Sequence, residues 1–474
     1  MSPSADLRLE RSFAALGPEF SDPVEPAAFP EPTLRWRNDR IAARIGLQTL
    51  SDDEWVDRLG RFLPLSEDQG PPLAMRYHGH QFRTYNPALG DGRGFLLAQV
   101  RDLQTGRLLD LGTKGSGRTP WSRGADGRLT LKGAVREALA SEMLEALGVP
   151  TSKTLSLVET GEQLSRHDEP SPARGAVLTR VSQSHIRFGT FQRLAYLDRA
   201  DLISDLTEHV LEVYYPELSG GADPAATLLA AVTERTASLA ARWTAAGFVH
   251  GVLNTDNMSI TGESFDYGPY RFLPFYDPGF TAAYFDEFGL YAFGRQAEAV
   301  FWNLQQLAGC LALITEAARM VDILNGFAAD WSRSLAQAFV RRLGLKSADS
   351  AADQALLRAT LVLLEQGGDA LRWEPLFFDW FGGERSAERA LSGARAPLYS
   401  GAAFAAFREA LSGLEPASAG PLDRQFEDSG PQELLYDEIE AIWAAIAVGD
   451  DWAPFHAKLA AIGAARRAYA IAEP

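Results

Sequence analysis

Residues 247–290 follow neither a helical nor a strand period, and they separate two stretches of chain that do. Upstream, short apolar runs stand between glycines. Gly94–Val100 and Leu108–Lys114 read as strands joined by a turn at Gln104-Thr105-Gly106, and Thr154–Val158 and Gly175–Val181 read as two more. One helix interrupts them: residues 130–147 (TLKGAVREALASEMLEAL), stopped by Gly148 with Pro150 just beyond. Downstream, residues 198–215 and 224–246 space their apolar side chains helically, and Ala/Leu-rich stretches continue from about 291 to the end. A chain that passes from sheet to helices in this way is α+β. Its expected parts are an N-terminal arm and helical lead-in over 1–72, a β-rich region over 73–190, and a helical region over 191–474 that contains the aperiodic segment and an extended helical C-terminal part. Residues 1 to about 34, rich in Pro, Glu and Ala, are expected as an extended arm lying on the body.

The 474 residues carry 45 basic and 62 acidic side chains, a formal charge of −17. Neutralising many phosphates of a nucleic acid takes a dominant basic face, so no nucleic-acid partner is expected. Cys310, the one cysteine, sits in the apolar run Leu307–Leu313 and reads as a core residue in a reducing compartment. The N-terminus lacks the apolar stretch of a secretory signal, and there is no run of ~18 apolar residues to span a bilayer. The expectation is a soluble, cytoplasmic monomer with no membrane contact.

The aperiodic segment carries the chemistry. Within Gly247–Ile260 and Phe265–Gly268, the residues Asn254, Asp256, Asn257 and Asp266 supply the oxygen ligands Mg²⁺ prefers; one or two carboxylates completed by substrate phosphates is its usual shell. The order Asp, Asn, then Asp-aromatic-Gly is that of a kinase catalytic loop and its metal-binding aspartate. Kinases separate the first two, whereas Asp256 and Asn257 are adjacent. An Asx-rich pair of turns is the bland alternative. Upstream, Gly90-Asp91-Gly92-Arg93-Gly94 precedes a strand, and alternate glycines let backbone N–H groups approach phosphates. Lys114 ends the following strand, where a kinase-like lobe carries its phosphate-binding lysine. The next helix offers Glu137 as its partner, although periodicity nominates Glu142 equally. Arg180 and Arg187 flank Ser182–His185, and their guanidinium forks suit a triphosphate. His78 and His80 lack a third ligand nearby and read as structural, and His250 reads as a core histidine orienting the segment. A mixed β-rich region before a polar catalytic segment and a helical region is a layout that kinases share, so a protein-kinase-like two-lobed fold holding ATP and Mg²⁺ is expected.

Ordered strings over roughly residues 73–310 sharpen this. Among them are Gly79-His80-Gln81-Phe82, Leu89–Arg93, Lys114–Gly117, Asp126-Gly127-Arg128, Ala146–Thr151, Ser184–Phe191, Asn254–Ser259 and Asp266–Tyr270. They resemble the selenoprotein O family (the YdiU-like, or UPF0061, proteins). The resemblance implies a kinase-like enzyme that transfers AMP, with release of pyrophosphate, from ATP to Ser, Thr or Tyr hydroxyls of target proteins, the nucleotide bound in a flipped orientation. Carried over by motif, Lys114 and Glu137 form an ion pair, and Gly90, Gly92, Arg93, Lys114, Asp126, Gly127, Arg180 and Arg187 contact the nucleotide. Asn257 and Asp266 hold Mg²⁺, or alternatively Mn²⁺, and Asp256 is the general base. The guanidinium groups of Arg93, Arg180 and Arg187 would stabilise charge developing on a pyrophosphate leaving group. Two departures stand out. Arg83–Ala88 differs from the small Gly/Trp-containing stretch usual there, and the chain ends in Arg467–Pro474 without the Cys or selenocysteine motif of many relatives, so no redox control through such a thiol is expected. Transfer of the γ-phosphoryl group would use the same metal and base residues, and transfer of UMP is a variant. A dead scaffold is disfavoured because Lys114, Glu137, Asp256, Asn257 and Asp266 are all present.

Overall fold

The computed structural model of the chain describes residues 6–167, 169–348, 350–418, 426 and 430–471. The first five residues of the expected arm and the last three of the C-terminal stretch lie outside them. Thirteen short-to-medium strands are present among the described residues. In chain order they are β1 (Leu9–Glu10), β2 (Ser21–Pro23), β3 (Thr33–Arg37), β4 (Leu73–Met75), β5 (Gly79–Gln81), β6 (Thr84–Asn86) and β7 (Leu96–Arg101). They continue with β8 (Leu108–Lys114), β9 (Leu129–Thr130), β10 (Lys153–Leu164), β11 (Ala173–Ser182), β12 (Phe248–Val249) and β13 (Arg271–Phe272). Nine of them form one sheet with the order β2-β4-β7-β8-β11-β10-β3, to which β1 adds on β7 and β9 on β11. Its pairings are antiparallel.

The arm does more than lie on the body. β1 pairs with β7, β2 with β4, and β3 with β10, so three of its segments are strands of the sheet. The expected strands are present but longer where they were cut short: β10 and β11 extend beyond Val158 and ahead of Gly175 into a long hairpin. The extension carries Thr160, Glu162 and Gln163, whose polarity hides a strand from any apolar count.

Alternation along β11 places its side chains on two cores. Ala176 and Leu178 join one cluster, Val177 and Val181 the other. The second cluster is covered by α1 (Asp39–Arg44) and α2 (Asp52–Leu59) through Ile41, Ile45, Trp55 and Leu59. The first is covered by α3 (Leu131–Ala146), whose N-cap Thr130 accepts a hydrogen bond from the Gly133 amide and which stops before Gly148 at φ +76°. α3 is buried on nearly every side because the helix Ala453–Tyr469 lies against its other face, with Arg466 paired to Glu142 and Glu145.

Helices make up most of the remainder. α4 (Phe188–Tyr196), α6 (Pro224–Ala245) and α7 (Gln296–Leu311) pack against the aperiodic segment, and α5 (Ala200–Tyr214) packs on α4 and α6. α6 starts on Asp223, whose carboxylate accepts from the Ala226 amide, with Pro224 at the first helical position. The helices Phe327–Arg342, Ser350–Gly367, Trp373–Asp379 and Gly401–Ser412 build a further core around Trp373, Phe377 and Trp380. No described helix is long and apolar enough to cross a membrane. Cys310 is buried, and burial pushes its thiol up to about 12.

Candidate active site

The loop before β7, the ends of β8 and β11, the start of α4 and the aperiodic segment enclose a cleft of about 440 Å³. That is the size of a small-molecule site. Five cationic side chains line it, Arg93, Lys114, Arg123, Arg180 and Arg187, against the carboxylates of Asp91, Asp256 and Asp266. A chain of net charge −17 thus keeps a positive cleft.

Strand register explains the convergence. Lys114 ends β8 opposite Leu178 of β11, and Arg180 stands two residues on, opposite Gly112. Lys114 Nζ donates to Glu137 Oε2 at 2.5 Å and lies 2.9 Å from Asp266 Oδ1. Glu137 on α3 is therefore the lysine's partner, while Glu142 accepts from Asn38 and pairs with Arg466. Arg180 Nη1 donates to Asp266 Oδ1 at 2.5 Å and reaches Glu137 Oε1 at 3.4 Å. Arg187 Nη1 donates to Asp266 Oδ2 at 3.2 Å and to the Asp256 carbonyl at 3.0 Å. Three cations from three elements meet one carboxylate. Burial alone would raise the pKa of Asp266, but Arg180, Lys114 and Arg187 outweigh it and hold the carboxyl well below the usual range. The residue sits at φ +63°, a left-handed conformation that Asp tolerates better than most side chains.

Asp256 lies in the same cleft under opposite conditions. Its Oδ1 is buried and has no hydrogen-bond partner. Burial pushes its carboxyl up to about 6, with Arg187 only partly opposing. Asn257 beside it donates from Nδ2 to the Val252 carbonyl at 2.9 Å. Asn254, one of the four oxygen-bearing residues singled out in the sequence, is committed elsewhere: its Oδ1 accepts from the Phe82 amide and the Tyr291 hydroxyl. His250 holds the segment by its Nε2 contact to the Phe265 carbonyl at 2.9 Å, one residue before Asp266.

The glycine turn is shaped by protein contacts. A Cβ on Gly94 would lie 1.9 Å from the Thr113 carbonyl oxygen, and one on Gly90 would lie 2.4 Å from the Trp121 ring. Gly90, Gly92 and Arg93 line the cleft. Asp126 and Gly127 are not among its lining residues; Asp126 pairs with Arg166 at 2.7 Å. At the entrance, β5 and β6 are joined by Phe82 and Arg83, both at positive φ, in a tight turn that the Asn254 contact anchors. His78 meets the Tyr85 hydroxyl and His80 the Gln192 amide, each at 2.7 Å.

Sequence reasoning missed the residues that aim the arginines. The Arg187 guanidinium lies 4.3 Å from the Tyr77 ring centroid and 4.9 Å from that of Phe265. Arg180 lies 5.4 Å from Phe265, and its Nε donates to His185 Nε2 at 3.1 Å. Isolated aromatic residues carry no spacing signal. Phe265, next to Asp266, and His185, between the two arginines, lie inside strings the sequence marks, and Tyr77 does not.

A cleft lined by five cations, with one strongly ionised and one weakly acidic carboxylate, suits a phosphate-bearing ligand. The comparison with known proteins narrows the class. The chain belongs to the SelO family of protein adenylyltransferases: the family model described as "Protein adenylyltransferase SelO" matches residues 3–462. Among curated proteins it is 46% identical over 481 residues to the protein nucleotidyltransferase YdiU of Gloeobacter violaceus, covering 99% of this chain and 97% of the relative. It is 44% identical over 480 residues to that of Synechococcus elongatus, covering 97% and 95%. It is 37% identical over 460 residues to that of Pseudarthrobacter chlorophenolicus, covering 94% and 90%.

Proposed function

We propose that this chain transfers AMP from ATP to Ser, Thr or Tyr hydroxyls of target proteins, on a protein-kinase-like two-lobed fold with the nine-stranded sheet in one lobe and α4 onward in the other. The observation that carries this is the meeting of Lys114, Arg180 and Arg187 on Asp266, with Arg93 and Arg123 further along the same cleft. So many cations suit a leaving group that carries pyrophosphate charge.

In this reading the acceptor hydroxyl attacks the α-phosphorus. A bond forms from the hydroxyl oxygen to phosphorus, the bond from phosphorus to the bridging oxygen breaks, and pyrophosphate leaves with that electron pair. The hydroxyl proton passes to Asp256, whose buried, unpartnered Oδ1 is suited to receive it. Lys114, Arg180 and Arg187 exchange part of their hold on Asp266 for phosphate oxygens, and Glu137 keeps Lys114 aimed.

In this reading a divalent cation would be held by Asn257 and Asp266 once phosphate oxygens draw Lys114, Arg180 and Arg187 part of the way off the Asp266 carboxylate. Asp266 is held ionised, and Asn257, tied by its Nδ2 to Val252, keeps its amide oxygen for a ligand. Mg²⁺ or Mn²⁺ there, held by Asn257 and Asp266, would neutralise phosphate charge.

Incubation with divalent metal and ATP labelled at either the α- or the γ-phosphate tests the reading. Covalent α-label on protein supports it; γ-label alone overturns it in favour of a kinase, which the Lys114–Glu137 pair would serve equally. UTP labelled at the α-phosphate, run in parallel with Mn²⁺, separates AMP from UMP transfer.

A further inference from the structure

We propose that His185 is a positioning residue that fixes the guanidinium of Arg180 in the cleft. The geometry forms a continuous buried line. The Phe13 amide donates to Gln99 Oε1 at 2.7 Å, and Gln99 Nε2 donates to Asp110 Oδ1 at 2.7 Å. Asp110 Oδ2 accepts from the His185 backbone amide at 2.8 Å, and it stands 3.5 Å from the ring's Nδ1, which has no hydrogen-bond partner. His185 Nε2 then accepts from Arg180 Nε at 3.1 Å, and Arg180 Nη1 goes on to Asp266 and Glu137. Gln99, Asp110, His185 and Arg180 are all at most 5% exposed.

The strand is cut to admit the ring. A Cβ on Gly112 would lie 2.6 Å from both Cε1 and Nε2 of His185. Glycine there lets the imidazole pass under β8 to meet Arg180, which pairs with Gly112 across the sheet.

The choice of histidine has a chemical reason. Arg180 offers Nε–H on one side and its two terminal nitrogens on the other. A carboxylate at position 185 would hold Nε–H more tightly but would also neutralise the charge. A neutral imidazole fixes the plane of the fork and leaves its full charge for the cleft. Burial pushes the imidazole's pKa down, and Asp110 offsets this only in part, so the ring stays an acceptor. This role does not depend on which phosphorus is attacked; only the kinetic arm of its test rests on the proposed AMP transfer.

The test uses full-length His185→Phe, which keeps ring volume but offers no acceptor, and His185→Gln, whose amide oxygen restores one. In ¹⁵N-arginine NMR the Arg180 Nε–H of the wild type should exchange slowly with solvent, should exchange at least ~10-fold faster in His185→Phe, and should recover in His185→Gln. With ATP and an acceptor protein, kcat should fall ~10- to 100-fold in His185→Phe, more than ATP affinity falls, and return to within a few fold in His185→Gln. An unchanged Nε–H and kcat in His185→Phe would overturn the proposal. So would equal losses in both variants that track a drop in Tm, since that marks a purely structural role. If no nucleotide transfer is found but the NMR pattern holds, the transfer reading fails while the positioning role stands.

Discussion

Asp256 and Asp266 share one loop segment and one cleft, and their surroundings drive them in opposite directions. Asp266 is gripped by Lys114, Arg180 and Arg187 and held ionised. Asp256 is buried with an unpartnered oxygen and lifted to about 6. On the proposed reaction this difference would make one aspartate a charge anchor and the other a proton acceptor, because three cations pair directly with Asp266 while burial outweighs the cations near Asp256. The same asymmetry separates binding from chemistry, and mutation can test that separation at each end.

The largest effect is expected at the anchor. Asp266→Ala should lower transfer by on the order of 10³-fold or more, read as α-label incorporated into protein. Because it leaves Lys114 and Arg180 to share Glu137 and Arg187 only the more distant Asp91, it should also cost about 3 kcal/mol of stability in a denaturant titration. A variant that keeps both activity and stability would break the contrast. At the other end, Asp256→Asn should lower transfer by ~10²- to 10³-fold while calorimetry finds ATP affinity little changed. A parallel loss of ATP affinity would show Asp256 to be a second anchor.

Arg187→Lys keeps the charge but loses the planar guanidinium, whose Nη1 reaches both Asp266 and the Asp256 carbonyl while Nη2 stands 3.5 Å from Asp91, so a drop of ~10- to 100-fold in kcat/KM is expected. The pH profile sharpens the same point. Asp256 must be ionised to take a proton, so above about 6 the rate should be level, and below it the rate should fall toward tenfold per pH unit. Asp266 stays ionised throughout and adds nothing to that limb. A bound cation favours the carboxylate, so raising Mg²⁺ should move the limb to lower pH, and Asp256→Asn should abolish it. The smallest effect belongs to Phe265→Leu, which removes the ring beneath both arginines and should cost ~3- to 10-fold in ATP affinity.

Much of this was legible in the sequence, for identifiable reasons. Strands β7, β8 and the core of β10 and β11 announce themselves because apolar residues come in short runs between turn residues. The helix carrying Glu137 is marked by Thr130 at one end and Gly148 at the other. By contrast, β1 and β2 in the arm are too short to show a period, β3 alternates over only five residues, and α4 runs for only nine.

The α+β order of elements and the set of charged residues able to meet a phosphate can be read from the residues alone, because period and residue chemistry are local properties. Which charge meets which depends on how distant elements pack. Lys114, Glu137, Arg180, Arg187 and Asp266 come from β8, α3, β11, the start of α4 and a loop, and their distances follow from sheet register and helix docking. The choice of Glu137 over Glu142, the diversion of Asn254 to Phe82 and Tyr291, and the line from Phe13 through His185 to Arg180 are of that kind. So is the split between Asp256 and Asp266, since a carboxylate's pKa depends on burial and on neighbours brought from elsewhere in the chain.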